Sequence, residues 1–269
     1  MSDGPRTKGL RGPSGDDPFY VGYLPTPRAI KRAALLAAGS LVAMLAVLGA
    51  AAPMALRDPG PAVWDLSQQV QDTGVLRLEP YPHLVQTDSS GRETERLLLG
   101  EEFKTGVGDR LDRMSDGAAA SLDGRTMTAS GWVLTRKGRR MITLDPSDDG
   151  LKAEPGAAAG PAGRDVSDLQ TVTLSGEILD GKCYLGAMKP GDGAAHRACA
   201  MLCLRGGLPA LFIERGGPND GRVHWIADAD GGGIDPALIP HVAQPVTLVG
   251  RIETLGTASV LRVDRREPR

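Results

Sequence analysis

A run of 24 residues without a charge, Ala33 to Leu56, constrains this chain more than any other feature; it reads AALLAAGSLVAMLAVLGAAAPMAL. At about 1.5 Å per helical residue it reaches roughly 36 Å, more than the ~30 Å hydrocarbon core of a bilayer. It reads as a permanent single-pass transmembrane helix over residues 33–56. The alternative is a cleaved signal peptide, for which Gly49-Ala50-Ala51 offers small residues. Against cleavage, residues 1–32 form a long polar stretch ahead of the run. A signal peptide instead has a short basic start and an apolar stretch of only about 7–15 residues.

The cations on each flank set the expected orientation, because Lys and Arg are retained on the cytoplasmic side. Arg6, Lys8, Arg11, Arg28, Lys31 and Arg32 precede the run, whereas residues 57–80 hold only Arg57 and Arg77. Residues 1–32 are therefore expected to be a cytoplasmic tail, with the C-terminal part in a bacterial periplasm, on the outer face of the inner (cytoplasmic) membrane. The tail carries Asp16-Asp17-Pro18-Phe19-Tyr20-Val21-Gly22-Tyr23-Leu24-Pro25, in which three aromatics crowd together. That segment reads either as an aromatic belt at the headgroups or as a docking peptide for a membrane protein partner.

Lys and Arg number 31 against 33 Asp and Glu, a net charge of −2. With no cationic excess to neutralise a phosphate backbone, nucleic acid is not expected as a partner. Gly 36 and Pro 20 favour short strands and turns over helical bundles. Residues 146–165 are rich in Pro, Gly and Ala and read as a linker between a first β domain, 61–145, and a second, 166–265.

Both halves end on a similar pattern. Thr126–Thr135, a Lys137-Gly138 turn and Arg140–Leu144 match a run over 245–254, a turn near Leu255-Gly256 and a run over 258–264. Gly131 and Gly250 interrupt the first strand of each pair, where a bulge or sharp coil fits. The second half begins with a glycine-kinked strand over 170–180. Strands near 210–214 and 222–227 follow, then a short helix near Asp235–His241. With the two closing strands, this is the order of an OB-type barrel. Ser115–Leu122 reads as a comparable short helix in the first half. The expected fold is mainly β: one transmembrane helix followed by two small OB-like barrels.

The three cysteines, Cys183, Cys199 and Cys203, fall in one segment together with His196. On a helix from about 194 to 204, stopped by Gly206-Gly207, the His196, Cys199 and Cys203 spacings share one face. One reading is a disulfide from Cys183 to Cys199 or Cys203, since thiols four apart on an intact helix stand too far from each other to bond. It would contribute roughly 2–4 kcal/mol. The other reading is a Cys3His metal or redox centre suited to zinc, copper or an iron-sulfur cluster, with Met188 and Met201 as added soft ligands for copper. His224 reads as a core or rim residue, His241 as the close of the short helix, and His83 as part of a turn. Asp180-Gly181 reads as turn chemistry. No nucleophile stands with a base, and no phosphate loop or dinucleotide fingerprint is present.

Gly176-Glu177-Ile178-Leu179-Asp180-Gly181-Lys182-Cys183-Tyr184, followed by Cys199-Ala200-Met201-Leu202-Cys203 and Gly206-Gly207, resembles uncharacterised bacterial membrane-anchored or exported OB-like domains. These carry a strand leading to a cysteine, then a helix with paired cysteines. The resemblance covers the second domain and implies an envelope location. It also implies a non-catalytic accessory or binding role beside a membrane redox complex.

Overall fold

The computed structural model describes residues 28–55, 61–102, 104–156, 169 and 171–267. Two compact units form, Met1–Asp58 and Pro59–Arg269. The tail peptide 16–25 and residues 157–165 of the expected linker lie outside the described residues.

In the first unit, α1 spans Arg28–Ala55. Its stretch Ile30–Ala52 is long and apolar enough to cross a membrane, as a retained anchor or as a signal sequence, and none of it is buried. The helix begins ahead of the uncharged run because Arg28, Lys31 and Arg32 are good helix formers that extend it at no cost in burial.

The second unit is mainly β. Its first sheet contains β1 (Ala62–Arg77), β2 (His83–Thr87), β3 (Glu93–Leu99), β4 (Thr126–Arg136), β5 (Arg139–Leu144) and β6 (Leu151–Ala153). Its second contains β7 (Thr171–Asp180), β8 (Ala210–Glu214), β9 (Val223–Ala227), β10 (Pro245–Leu255) and β11 (Ala258–Arg266), which close into a barrel. Around that barrel β7 pairs β8, β8 pairs β9, β9 pairs β11 in parallel, β11 pairs β10, and β10 returns to β7. The first sheet follows the same circuit: β1 with β2, β2 with β3, β3 with β5 in parallel, β5 with β4, and β4 with β1.

The two glycines noted in the sequence occupy matching places. A Cβ on Gly131 would overlap the Thr143 carbonyl, and one on Gly250 would overlap that of Arg262. Beside Gly250 the β10–β11 register slips by a bulge, which sharpens strand coiling so that a small sheet can close. Leu151, the single large aliphatic residue of 146–163, is 1% exposed and brings β6 onto β4, so the first sheet runs further into the expected linker than composition suggested. The helix expected over Ser115–Leu122 is displaced. A helix α2 forms at Gly108–Met114, and only Ala119–Leu122 turns again, because Asp116 and Gly117 adopt left-handed φ values of 50° and 84° that stop the helix between them.

The barrel core centres on Phe212, Leu248, Val260 and Leu261, all fully buried. Leu97, Leu99, Leu134 and Met141 of the first sheet belong to the same continuous apolar cluster, while Leu76, Leu84, Met127 and Ile142 form a second cluster inside the first sheet. Burying each such side chain contributes about 1.5–3 kcal/mol. Polar bonds reinforce the contact. The Glu95 carboxylate accepts from Thr257 N at 3.0 Å, Thr257 Oγ1 at 2.8 Å and Ala258 N at 3.0 Å. Arg136 Nη1 donates to the Tyr184 carbonyl at 2.7 Å, with its guanidinium 4.1 Å from the Tyr184 ring centroid.

Candidate metal and thiol site

β7 ends at Asp180, and the chain turns directly into Cys183. Asp180 holds this turn with one carboxylate oxygen, Oδ1 accepting from Cys183 N at 2.9 Å. The other oxygen, Oδ2, accepts from His196 Nε2 at 2.6 Å, and neither side chain is exposed. Asp180-Gly181 is therefore a turn, as its sequence suggests, and also the anchor of a buried imidazole.

His196 closes a short 3-10 turn, Ala194–His196, that runs into helix α3, Arg197–Arg205. The helix stops at Gly206, whose N–H donates to the Leu202 carbonyl at 3.0 Å, with Gly207 left-handed at φ 83°. The expected helix over 194–204 is thus present with a tighter first turn, and its spacing brings Cys199 and Cys203 to the face that meets Cys183. All three cysteines are free thiols. The ligand atoms of Cys183, His196 and Cys199 lie within 4.8 Å of one another, and so do those of Asp180, Cys183 and Cys203. Cys183 is common to both groups. The four residues expected from the sequence thus fall into two overlapping groups, Cys203 meeting Cys183 beside Asp180 and His196 and Cys199 meeting it on the other side.

Cys183 and Cys203 are buried, whereas Cys199 is half-buried. Hydrogen bonding from Cys183 pulls the Cys203 thiol below its ordinary range, and the same contact, with burial, pushes Cys183 up. Burial also raises Cys199, against the opposing charge of Lys104. The Lys104 ammonium lies 3.7 Å from Cys199 Sγ. His196 is raised, first by its bond to Asp180. Its Nδ1 is buried and has no hydrogen-bond partner among the described residues. Soft thiols beside an imidazole nitrogen that has no hydrogen-bond partner form, once deprotonated, a donor set suited to zinc or copper.

Lys104 comes from the segment before α2, so the first sheet's chain contributes to the site. It is held there by main chain. Gly106 N donates to the Gly206 carbonyl at 2.7 Å, and a Cβ on Gly206 would overlap the Lys104 carbonyl. Nothing in the pattern around Lys104 or Gly106 marks them as site neighbours; they are placed by tertiary contact alone. Met188 is 43% exposed, and Met201 packs against the main core.

Two of the remaining histidines are held inside the core. His224 is fully buried, its Nε2 donating to Glu214 Oε1 at 2.8 Å and its Nδ1 accepting from Ser259 Oγ at 2.8 Å. His83, expected in a turn, instead begins β2. It is buried, donates from Nδ1 to the Tyr81 carbonyl at 2.7 Å and meets Trp225 edge-on at 5.2 Å. His241 ends the 3-10 turn Pro236–His241, capped at its start by Asp235.

No family model and no curated protein matches the sequence. Among solved structures, a deletion mutant of the single-stranded DNA-binding protein from Thermus aquaticus aligns over 77% of this chain and 94% of its own, at 13% identity and a TM-score of 0.21. The Cpx pathway activator NlpE from Escherichia coli aligns over 76% of this chain and 96% of its own, at 13% identity and a TM-score of 0.20. TM-scores of this size carry no statement about shared fold or function.

Proposed function

We propose that this chain is a single-pass, membrane-anchored binding protein of the bacterial envelope. In this reading its two OB-like β modules carry a thiol-imidazole metal centre at their junction. The observation that carries the reading is the Asp180–His196 pair. A histidine that binds metal through one ring nitrogen donates its other N–H to a carboxylate or carbonyl, which fixes ring orientation and raises ligand basicity. His196 is placed in that way, with Nε2 on Asp180 and a buried Nδ1 left over. Cys183 and Cys199 supply thiols within reach, and Cys203 lies against Cys183.

Three thiolates and one imidazole would close a tetrahedral shell around zinc, and the same set suits Cu(I). A closed shell leaves no open position for substrate, so the role is holding metal rather than catalysis. The cation bias before α1 supports a cytoplasmic N-terminus and periplasmic β modules, with α1 retained as the tether. The resemblance on Gly176–Tyr184 and Cys199–Cys203 supports an accessory role beside a membrane redox complex.

Metal analysis of the purified full chain tests the centre, together with a thiol count before and after reduction. Stoichiometric zinc or copper that is lost on Cys199→Ser is expected. One free thiol and no metal would instead establish the disulfide from Cys183 to Cys199 or Cys203. Purification from solubilised membrane, with and without residues 16–25, tests the accessory role. A partner that co-purifies only with the intact tail is expected, and a chain that comes out alone both times would remove that part of the proposal.

A further inference from the structure

Away from the thiols, the same unit carries a second concentration of charged side chains. A cleft of about 390 Å³ lies between the two sheets, within the usual range for small-molecule sites. Arg96, Lys137, Arg139, Arg140 and Arg222 all line it. The one carboxylate on its wall, Glu95, is already engaged by Thr257 and Ala258.

The hairpin that delivers these cations is built for its position. Lys137 and Gly138 adopt left-handed φ values of 49° and 78°, giving a two-residue connection with Arg136 opposite Arg139. The tight turn directs Lys137, Arg139 and Arg140 toward the second sheet, where Arg222 precedes β9. Among the described residues Lys137, Arg139, Arg140 and Arg222 make no ion pair. Arg96 has only Asp72, at a long 3.7 Å. Arg139 spends one N–H on the Val223 carbonyl at 3.2 Å. Burial, then the charge of Arg140, holds Arg96 below the usual guanidinium range; burial holds Arg139 down in the same way, with Arg222 adding to it. Arg96, Arg139 and Arg140 are half-buried while Lys137 and Arg222 are exposed at the rim, and like charges gathered in this way repel one another unless an anion offsets them. Leu185, Val223 and Trp225 form the floor beneath the cations, each packed into the core with little surface left exposed.

We propose that this cleft binds a small organic phosphate, its phosphate groups held by the arginine forks of Arg96, Arg139, Arg140 and Arg222. Guanidinium groups match phosphate oxygens in bidentate pairs, which lysines alone do not provide. The same chemistry is offered by an anionic phospholipid headgroup and by a soluble phosphate ester. The site uses none of the thiol cluster's residues, so it stands or falls independently of the metal centre.

Calorimetric titration of the detergent-solubilised full chain tests this with three probes: inorganic pyrophosphate, dihexanoyl phosphatidylglycerol and dihexanoyl phosphatidylcholine. Pyrophosphate and the glycerol lipid should bind, and the zwitterionic choline lipid should not. The double variant Arg140→Glu, Arg222→Glu should weaken binding by at least about ten-fold, as loss of charge-assisted bonds requires. Arg92→Glu, an exposed reversal in the β2–β3 turn, should leave binding unchanged. A glycerol lipid that outcompetes pyrophosphate assigns the headgroup as the source, and the reverse order assigns a soluble ester. Equal affinity in the double variant, equal binding of the choline lipid, or no binding of either anionic probe would overturn the site.

Discussion

The Nε2 of His196 sits 2.6 Å from the Oδ2 of Asp180 with neither side chain exposed, so one carboxylate holds both the turn into Cys183 and the ring facing Cys199. Asp180→Asn keeps the shape but removes the charge that orients the ring and makes it basic. Zinc affinity, measured by chelator competition, should fall about 10–100-fold, the usual effect of losing such a partner. An affinity unchanged by the substitution would mean that His196 is not a ligand.

Metal should also act on stability. A ligand that binds only the folded chain adds RT ln(1 + [L]/Kd), about 2.7 kcal/mol at a hundred-fold excess over Kd. Titrating zinc into chelator-treated protein should raise the thermal midpoint of the parent and leave that of His196→Ala unmoved. A midpoint in the parent that does not respond to zinc contradicts the centre.

The two sheets should unfold together, because Leu97, Leu99, Leu134 and Met141 share a core with the barrel. Glu95→Ala strips the partner from the Thr257 and Ala258 backbone donors at that contact. The expected loss is about 0.5–1.5 kcal/mol, the net worth of hydrogen bonds at a part-buried contact. Calorimetry should show one transition moved to lower temperature. Two separate peaks, only one of them moved, would show that the sheets fold independently.

His224 sets a pH response of definite sign. Burial holds its folded-state pKa below the ordinary value of about 6.5, against the pull of Glu214. The unfolded chain therefore binds more protons below about pH 6.5, and this contribution to stability, whole above that value, is lost as the pH falls toward the folded pKa. His196 acts with the opposite sign. Its pKa is raised by Asp180, so its contribution is whole below about 6.5 and is lost as the pH rises through the folded value. Comparing the parent with His224→Gln isolates the first effect. The stability gap between them, read from urea midpoints, should narrow between about pH 7.5 and about pH 5; a widening gap would mean that the buried ring is charged.

Much of this architecture is legible in the sequence because its signals are local. Lys137-Gly138 specifies its hairpin by turn chemistry, Gly131 and Gly250 mark where side chains cannot fit, and the spacing of His196, Cys199 and Cys203 anticipates a shared face. β1 is not legible. Its Ser67-Gln68-Gln69 interior is polar, and the strand is held mainly by its pairing to β4 across a register shift between Asp65 and Val70. Asp180 was hidden behind a better-known use, since Asp-Gly pairs make turns whether or not the carboxylate has a second task. Lys104 and the cationic cleft belong to contacts between sheets, which no window along one strand contains.

The bond from Gly106 N to the Gly206 carbonyl joins the halves through main chain, at the end of the helix that carries two thiols. A seam of this kind needs glycine on both sides, since a Cβ on Gly206 would overlap the Lys104 carbonyl and one on Gly106 the Gly207 carbonyl. The approach of the Lys104 ammonium to the Cys199 sulfur therefore rests on two residues without side chains, and alanine at either one would force the two main chains apart.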